Sequence, residues 1–167
     1  ADVFALAGGR DLLLAGGRGC VYRRQGRRWE TLPLKDPEGQ VWSIAVDPRA
    51  PATVFAGCRP LALWRSEDAG ERWEELSIRL PAGLPAPHTP RVTSIVVEPD
   101  AIWCGVEVGG VLVSGNGGGA WTPANDGLPS LDIHALARDR GLLAATPRGI
   151  ARLGSPGGAW TVTDLRA

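Results

Sequence analysis

Arg65-Ser66-Glu67-Asp68-Ala69-Gly70-Glu71-Arg72-Trp73 decides how the whole chain is read, because its skeleton, a glycine three residues before a tryptophan, returns three more times. Gly26 precedes Trp29, Gly118 precedes Trp121 and Gly157 precedes Trp160 at the same offset. The tryptophans stand about 44, 48 and 39 residues apart, a period that marks stacked supersecondary units. Ser66, Asp68, Gly70 and Trp73 are matched by Ser114, Asn116, Gly118 and Trp121, whereas the first and fourth copies keep only the glycine and the tryptophan. A short polar side chain such as Asp68 or Asn116 can bond backbone amides two residues on, and glycine takes positive φ without a Cβ penalty, so each copy predicts a compact turn. An indole removes roughly 150 to 250 Å² from water when buried, so the tryptophan is expected to pin each turn. One carboxylate per turn falls far short of the roughly six oxygens calcium takes, which makes the turn structural and metal-free on this reading.

Outward from each turn, the sequence breaks into short apolar runs punctuated by Gly and Pro. Unit one reads as strands over 2–7, 12–15, 20–23 and 29–32, with breaks at Gly8-Gly9 and Gly16-Gly17. Unit two reads as 41–46, 53–56, 61–65 and 73–78, broken at Asp47-Pro48 and at Gly57. Unit three runs 92–97, 102–106, 111–113 and from Trp121 onward; unit four runs 133–137, 142–145, 150–153 and 160–163. Helical periodicity is absent, and four short strands in about thirty residues make one blade. The chain is therefore expected to be one all-β domain, 1–167, with blades at 1–34, 41–79, 91–124 and 131–165.

Ser66-x-Asp68-x-Gly70-x-x-Trp73 resembles the Asp-box of BNR-repeat β-propellers, a family of sialidases, sortilin-type receptors and photosystem-assembly factors. Arg72 stands where that family usually has Thr, and Asn116 where it has Asp. The resemblance implies a β-propeller over nearly the whole chain and leaves function open, since the family mixes hydrolases with binding scaffolds. A sialidase-like hydrolase would need an arginine triad, a tyrosine nucleophile with a partner glutamate, an acid/base aspartate and an Arg-Ile-Pro motif. Tyr22 is the single tyrosine, and no Arg-Ile-Pro occurs. The resemblance thus implies a non-catalytic member.

The bulk numbers exclude several classes. With 167 residues and 44% hydrophobic content the chain can bury a core, and its 23 Gly and 14 Pro suit many tight turns. Eighteen basic residues balance eighteen acidic ones, so no net field gathers nucleic acid, although Arg23, Arg24, Arg27 and Arg28 cluster around the first turn. No apolar run approaches the roughly 20 residues of a membrane-spanning helix. Cys20, Cys58 and Cys104 have neither zinc-knuckle nor redox-pair spacing and read as small buried hydrophobes, which favours a reducing compartment such as the cytoplasm; a cleaved leader would leave no trace. No cofactor is expected.

Chemistry is sparse. Asp47 and Glu98 precede Pro48 and Pro99 as hairpin acids, and Glu107 and Asp139 complete the candidates for a carboxylate pair. His88 and His134 lie in different units, His134 on a first strand. Loops that enter first strands and loops between second and third strands share one face of a propeller, which would carry Arg59, His88, Glu107, Asp126 and Arg148. Loops on a rigid scaffold concentrate function, so these five are the candidate ligand-binding residues, for a protein or a glycan.

The first unit opens on a first strand and the last closes on a fourth, so every blade is expected to be contiguous, with no blade shared between the two ends. Blades apolar on both faces would leave the outer faces of units one and four wet. A closed four-bladed ring, two chains forming an eight-bladed ring, or a piece of a longer propeller would each satisfy that physics. Small residues on the inner strands, Ala5, Ser43, Ala45, Ser94 and Ala135, suit the wider ring, so two-chain closure is the expectation. The resulting reading is a bacterial, non-catalytic scaffold or binding module that homodimerises through its end blades. The alternative is a glycoside hydrolase or glycan-binding protein of the sialidase-like type.

Overall fold

The computed structural model describes residues 2–9, 12–83 and 89–163. It holds four four-stranded antiparallel sheets, each built from consecutive strands, and no helix among the described residues. The first comprises β1 (Ala5–Gly8), β2 (Leu13–Gly16), β3 (Cys20–Gln25) and β4 (Arg28–Pro33). The second comprises β5 (Gln40–Val46), β6 (Val54–Arg59), β7 (Ala62–Ser66) and β8 (Glu74–Leu76). In the third lie β9 (Val92–Val97), β10 (Ile102–Val106), β11 (Gly110–Ser114) and β12 (Thr122–Pro123), and in the fourth β13 (Ala135–Arg138), β14 (Leu142–Thr146), β15 (Gly149–Leu153) and β16 (Thr161–Thr163). The sheets are β-propeller blades. Their first strands pack side by side in the order β1, β5, β9, β13.

Between successive blades lie three apolar cores, all with one plan. Leu14 and Val21 of blade one meet Val54, Ala56, Trp64 and Trp73 of blade two. Phe55, Leu63 and Leu76 of blade two meet Ile102 and Cys104 of blade three. Trp103 and Val111 of blade three meet Leu136, Leu142, Ala151 and Trp160 of blade four. Antiparallel register puts directly paired residues on one face of the sheet, so each blade has a leading face, turned to the blade before, and a trailing face, turned to the blade after.

A glycine socket locks each junction. A Cβ on Gly16 would fall 2.6 Å from Val41 Cγ1, one on Gly57 would fall 2.6 Å from Val92 Cβ, and one on Gly105 would fall 2.7 Å from Ile133 Cγ2. Val41, Val92 and Ile133 are fully buried by that insertion. Here the structure corrects the expectation that Gly57 breaks a strand: it sits mid-β6, opposite Ser43 and Leu63, whereas Gly16 is the last residue of β2, opposite Ala5 and Val21, and the strand ends there as expected. Both leave the space that the next blade's valine needs, and at Gly57 the chain does not turn.

A second correction concerns the first tryptophan. Trp73 and Trp160 are buried, at 5% and 3% exposed, and Trp121 is half-buried, but Trp29 is 47% exposed. Each buried tryptophan packs back on the preceding blade, and nothing precedes Trp29 in the described chain. Gly26 turns a plain hairpin with Gln25 paired to Arg28, so that copy needs no indole to pin it.

Candidate functional site

The four inner strands are entered through one repeated tetrapeptide: Asp2-Val3-Phe4-Ala5, Gln40-Val41-Trp42-Ser43, Arg91-Val92-Thr93-Ser94 and Asp132-Ile133-His134-Ala135. The second residue is the socket-filling aliphatic and the fourth is a small residue on the strand. Between them the third residue falls out of the ladder: register shifts at Val41/Ser43 skip Trp42, and the matching shift opposite Gly105/Val106 skips Thr93. A bulge re-aims a side chain at the end of a strand, here toward the end of the blades from which the first strands start.

The outcome is a continuous arc across three blades. Phe4 stacks on Trp42 with ring centroids 5.0 Å apart and planes at 29°. The Arg91 guanidinium lies 4.0 Å from the centroid of the Trp42 ring, a cation–π geometry, and its Nη2 donates to Glu107 Oε1 at 2.8 Å. Trp42 Nε1 donates to Gln40 Oε1 at 3.1 Å. Thr93 Oγ1 donates toward Gly105 O and Ile133 O, and His134 Nε2 lies 3.5 Å from Asp132 Oδ2. Phe4, Trp42 and Arg91 are half-buried, so each keeps part of its side-chain surface in contact with solvent.

Of the five residues expected on the loop face, Arg59 ends β6 ahead of a cis peptide bond to Pro60, Glu107 follows β10, and Arg148 lies between β14 and β15, its Nη1 donating to Pro129 O at 3.2 Å. These three stand at the same end of their blades as the arc, and Glu107 belongs to it. Asp126 is elsewhere: its carbonyl accepts from Trp160 N at 2.8 Å, on the seam between the fourth strands of blades three and four. His88 lies outside the described residues. Sequence reasoning missed Phe4, Trp42 and Arg91. The signal was the fourfold tetrapeptide, hidden because its third position, that of Phe4 and Trp42, and its first, that of Arg91, change residue type between copies.

The Ser-x-Asp turns hold themselves together. Ser66 Oγ accepts from Gly70 N at 2.8 Å and donates to Asp68 Oδ1 at 2.9 Å, which in turn accepts from Arg72 N at 2.8 Å. Ser114 and Asn116 repeat this with Gly118 N and Ala120 N. The acceptor reaches four residues on instead of the two expected, because the serine bridges the gap. Arg72, bonding through side chain and backbone, is the main reason the Asp68 carboxyl is held down at about 2.

The candidate acids do not face one another. Glu98 follows β9 and Glu107 follows β10, at opposite ends of the third blade. Glu98 Oε2 accepts from Trp103 Nε1 at 2.7 Å and pairs with Arg138 through Oε1. Asp47 caps its own hairpin through Arg49 N at 2.8 Å, and Asp139 pairs with Arg152. Burial pushes the Cys58 thiol up to about 12 and the Cys104 thiol higher still, so neither is a nucleophile near neutral pH. Among the described residues no cluster of His, Cys, Asp and Glu could hold a metal ion, and no helix is long and apolar enough to cross a membrane.

No protein-family model and no curated protein matches the sequence. Solved structures do. YCF48 bound to D1 peptide aligns with a TM-score of 0.68 at 17% identity, over 96% of this chain and 53% of that one. The GH74 enzyme of Niastella koreensis aligns with a TM-score of 0.75 at 16% identity, over 98% of this chain and 30% of that one. The computationally designed Ika4 protein aligns with a TM-score of 0.63 at 17% identity, over 92% of each chain. The chain therefore spans about half of YCF48 and under a third of the GH74 enzyme, and shares their fold.

Proposed function

We propose that this chain is a non-catalytic β-propeller binding module that takes an extended protein segment at the mouth of its inner strands and joins a second copy to complete its ring. The observation that carries the binding reading is the Phe4–Trp42–Arg91 arc: stacked aromatic faces beside a guanidinium, on the entry of three adjacent strands. Aromatic and arginine side chains supply most of the energy at recognition surfaces. That YCF48, with the same fold, binds a peptide agrees with this choice of ligand class.

The rival reading is a glycoside hydrolase, and a GH74 enzyme shares the fold. Against it stands the separation of Glu98 and Glu107, since glycosidic cleavage by paired carboxylates needs the two groups within about 5 to 10 Å across one cleft. A displayed random-peptide library, selected on the wild-type protein, tests the proposal. Enriched peptides that bind at least about tenfold more weakly to Trp42→Ala would support it. Binding indifferent to Trp42, or turnover of a chromogenic glycoside that is lost in Glu107→Gln, would overturn it.

A further inference from the structure

The three internal junctions share a construction that the two end blades leave half-made, and we infer that the chain closes head to tail, the leading face of blade one on the trailing face of blade four of a second copy. This rests on the ring-closure part of the proposed function and assigns its seam. Three of the four exposed large hydrophobics, Val3 at 54%, Leu6 at 69% and Trp29 at 47%, belong to blade one. Each takes a place that is filled in the internal junctions: Val3 corresponds to Val41, Val92 and Ile133, Leu6 to Ile44, Ile95 and Leu136, and Trp29 to Trp73, Trp121 and Trp160. The exposed half is therefore the same half whose counterparts are buried or half-buried against a trailing face.

The trailing face of blade four supplies the other half. Arg23 Nη2 pairs with Glu30 of its own blade at 2.6 Å while its Nη1 donates to Ala69 O in the turn of blade two at 3.1 Å. Arg65 repeats this, with Glu74 at 2.9 Å and Gly117 O of blade three at 3.0 Å. Arg152 occupies the same place in blade four and has the own-blade carboxylate, Asp139 Oδ2 at 2.9 Å, but its Nη1 folds back on Asp139 O. It holds the place of the latch seen at the first two junctions, with no such turn to reach among the described residues. On a partner's blade one it meets the carbonyl edge of the 25–28 turn, where a Cβ on Gly26 has nothing within 4 Å, as one on Gly157 also has, whereas Cβ atoms on Gly70 and Gly118 would run into Leu32 and Leu76 of the preceding blade. Arg27 takes the place of Glu71 there, so Asp139 is the carboxylate shared by the two arginines.

One feature makes this seam weaker than the internal three. The socket that is Gly16, Gly57 and Gly105 elsewhere is Ala145 in blade four, opposite Ala135 and Ile150, so Val3 is kept about a methyl group higher. Closure is then a reversible association of folded chains.

Sedimentation of Trp29→Arg, which blocks the leading face, and Ile150→Arg, which blocks the trailing face, tests the seam. The wild type should sediment at twice the 17.6 kDa of one chain, each variant alone as a folded monomer by circular dichroism, and an equimolar mixture as a one-to-one pair through its single intact seam. Arg152→Ala should weaken wild-type association by about tenfold. A wild-type monomer overturns ring closure itself. A dimer that survives Ile150→Arg alone, or Trp29→Arg alone, overturns the head-to-tail seam and leaves ring closure standing.

Discussion

Blades two and three are buried on both faces, while blades one and four are buried on one, and their central strands record the difference. Every residue of β10 is buried, as are all of β6 but the last, whereas β14 alternates buried and half-buried residues along its length. One set of local rules thus yields two kinds of sheet. The same Gly–Trp skeleton that makes Trp73 a core residue leaves Trp29 half in water, because an indole's burial depends on what stands opposite and not on the turn that presents it.

The widest gap should appear between the two tryptophans. Trp73→Ala removes a buried indole from the first junction and should cost about 3 to 5 kcal/mol, while Trp29→Ala in the single chain should stay within about 1 kcal/mol; urea unfolding below the association range measures both. Equal losses would erase the distinction between inner and outer faces. Next in size is the socket. Gly57→Ala drives a methyl onto Val92 and Ser43 and should cost about 1 to 3 kcal/mol, whereas Ala145→Gly, on the open trailing face, should cost under about 1 kcal/mol.

A third contrast lies within the turns. Ser66→Ala leaves the buried Gly70 N–H without its acceptor and should cost about 1 to 3 kcal/mol by thermal unfolding. The first turn, with no such serine, has no corresponding loss to suffer. The smallest effect concerns acid. Asp68 titrates at about 2 in the folded chain, below its ordinary value near 3.9. Its stabilising contribution is complete above pH 4 and disappears as pH falls toward 2. Asp68→Asn should keep the turn, as Asn116 does, and remove that part of the acid dependence; a carboxyl NMR titration of Asp68 with a midpoint near 4 would contradict the geometry.

How much of this was legible follows from the range of each interaction. Strand positions in all four units came out of the spacing of apolar runs, and the Ser66 and Ser114 turns out of residues within eight positions of each other, because hydrogen bonds that close inside one turn leave their donors and acceptors adjacent in sequence. Gly57 was misread for the complementary reason. A glycine facing a valine 35 residues later looks, in one dimension, like any strand breaker. The arc of Phe4, Trp42 and Arg91 was invisible for a related cause: Phe4 and Trp42 hold the third position of the repeat and Arg91 the first, and neither position keeps one residue type across the four units, so similarity between units points away from them.

By itself, then, the sequence determined four all-β units and the two Ser-x-Asp-type turns at Ser66 and Ser114, since period-two burial and turn closure act over a few residues. Only the tertiary structure decided which faces are covered, which glycines are sockets, and that among the described residues Arg152 lacks the interblade partner that Arg23 and Arg65 have, and Trp29 the preceding blade that covers Trp73 and Trp160. Those properties belong to surfaces meeting across some forty residues of chain, and contact at that distance has no signature in local order.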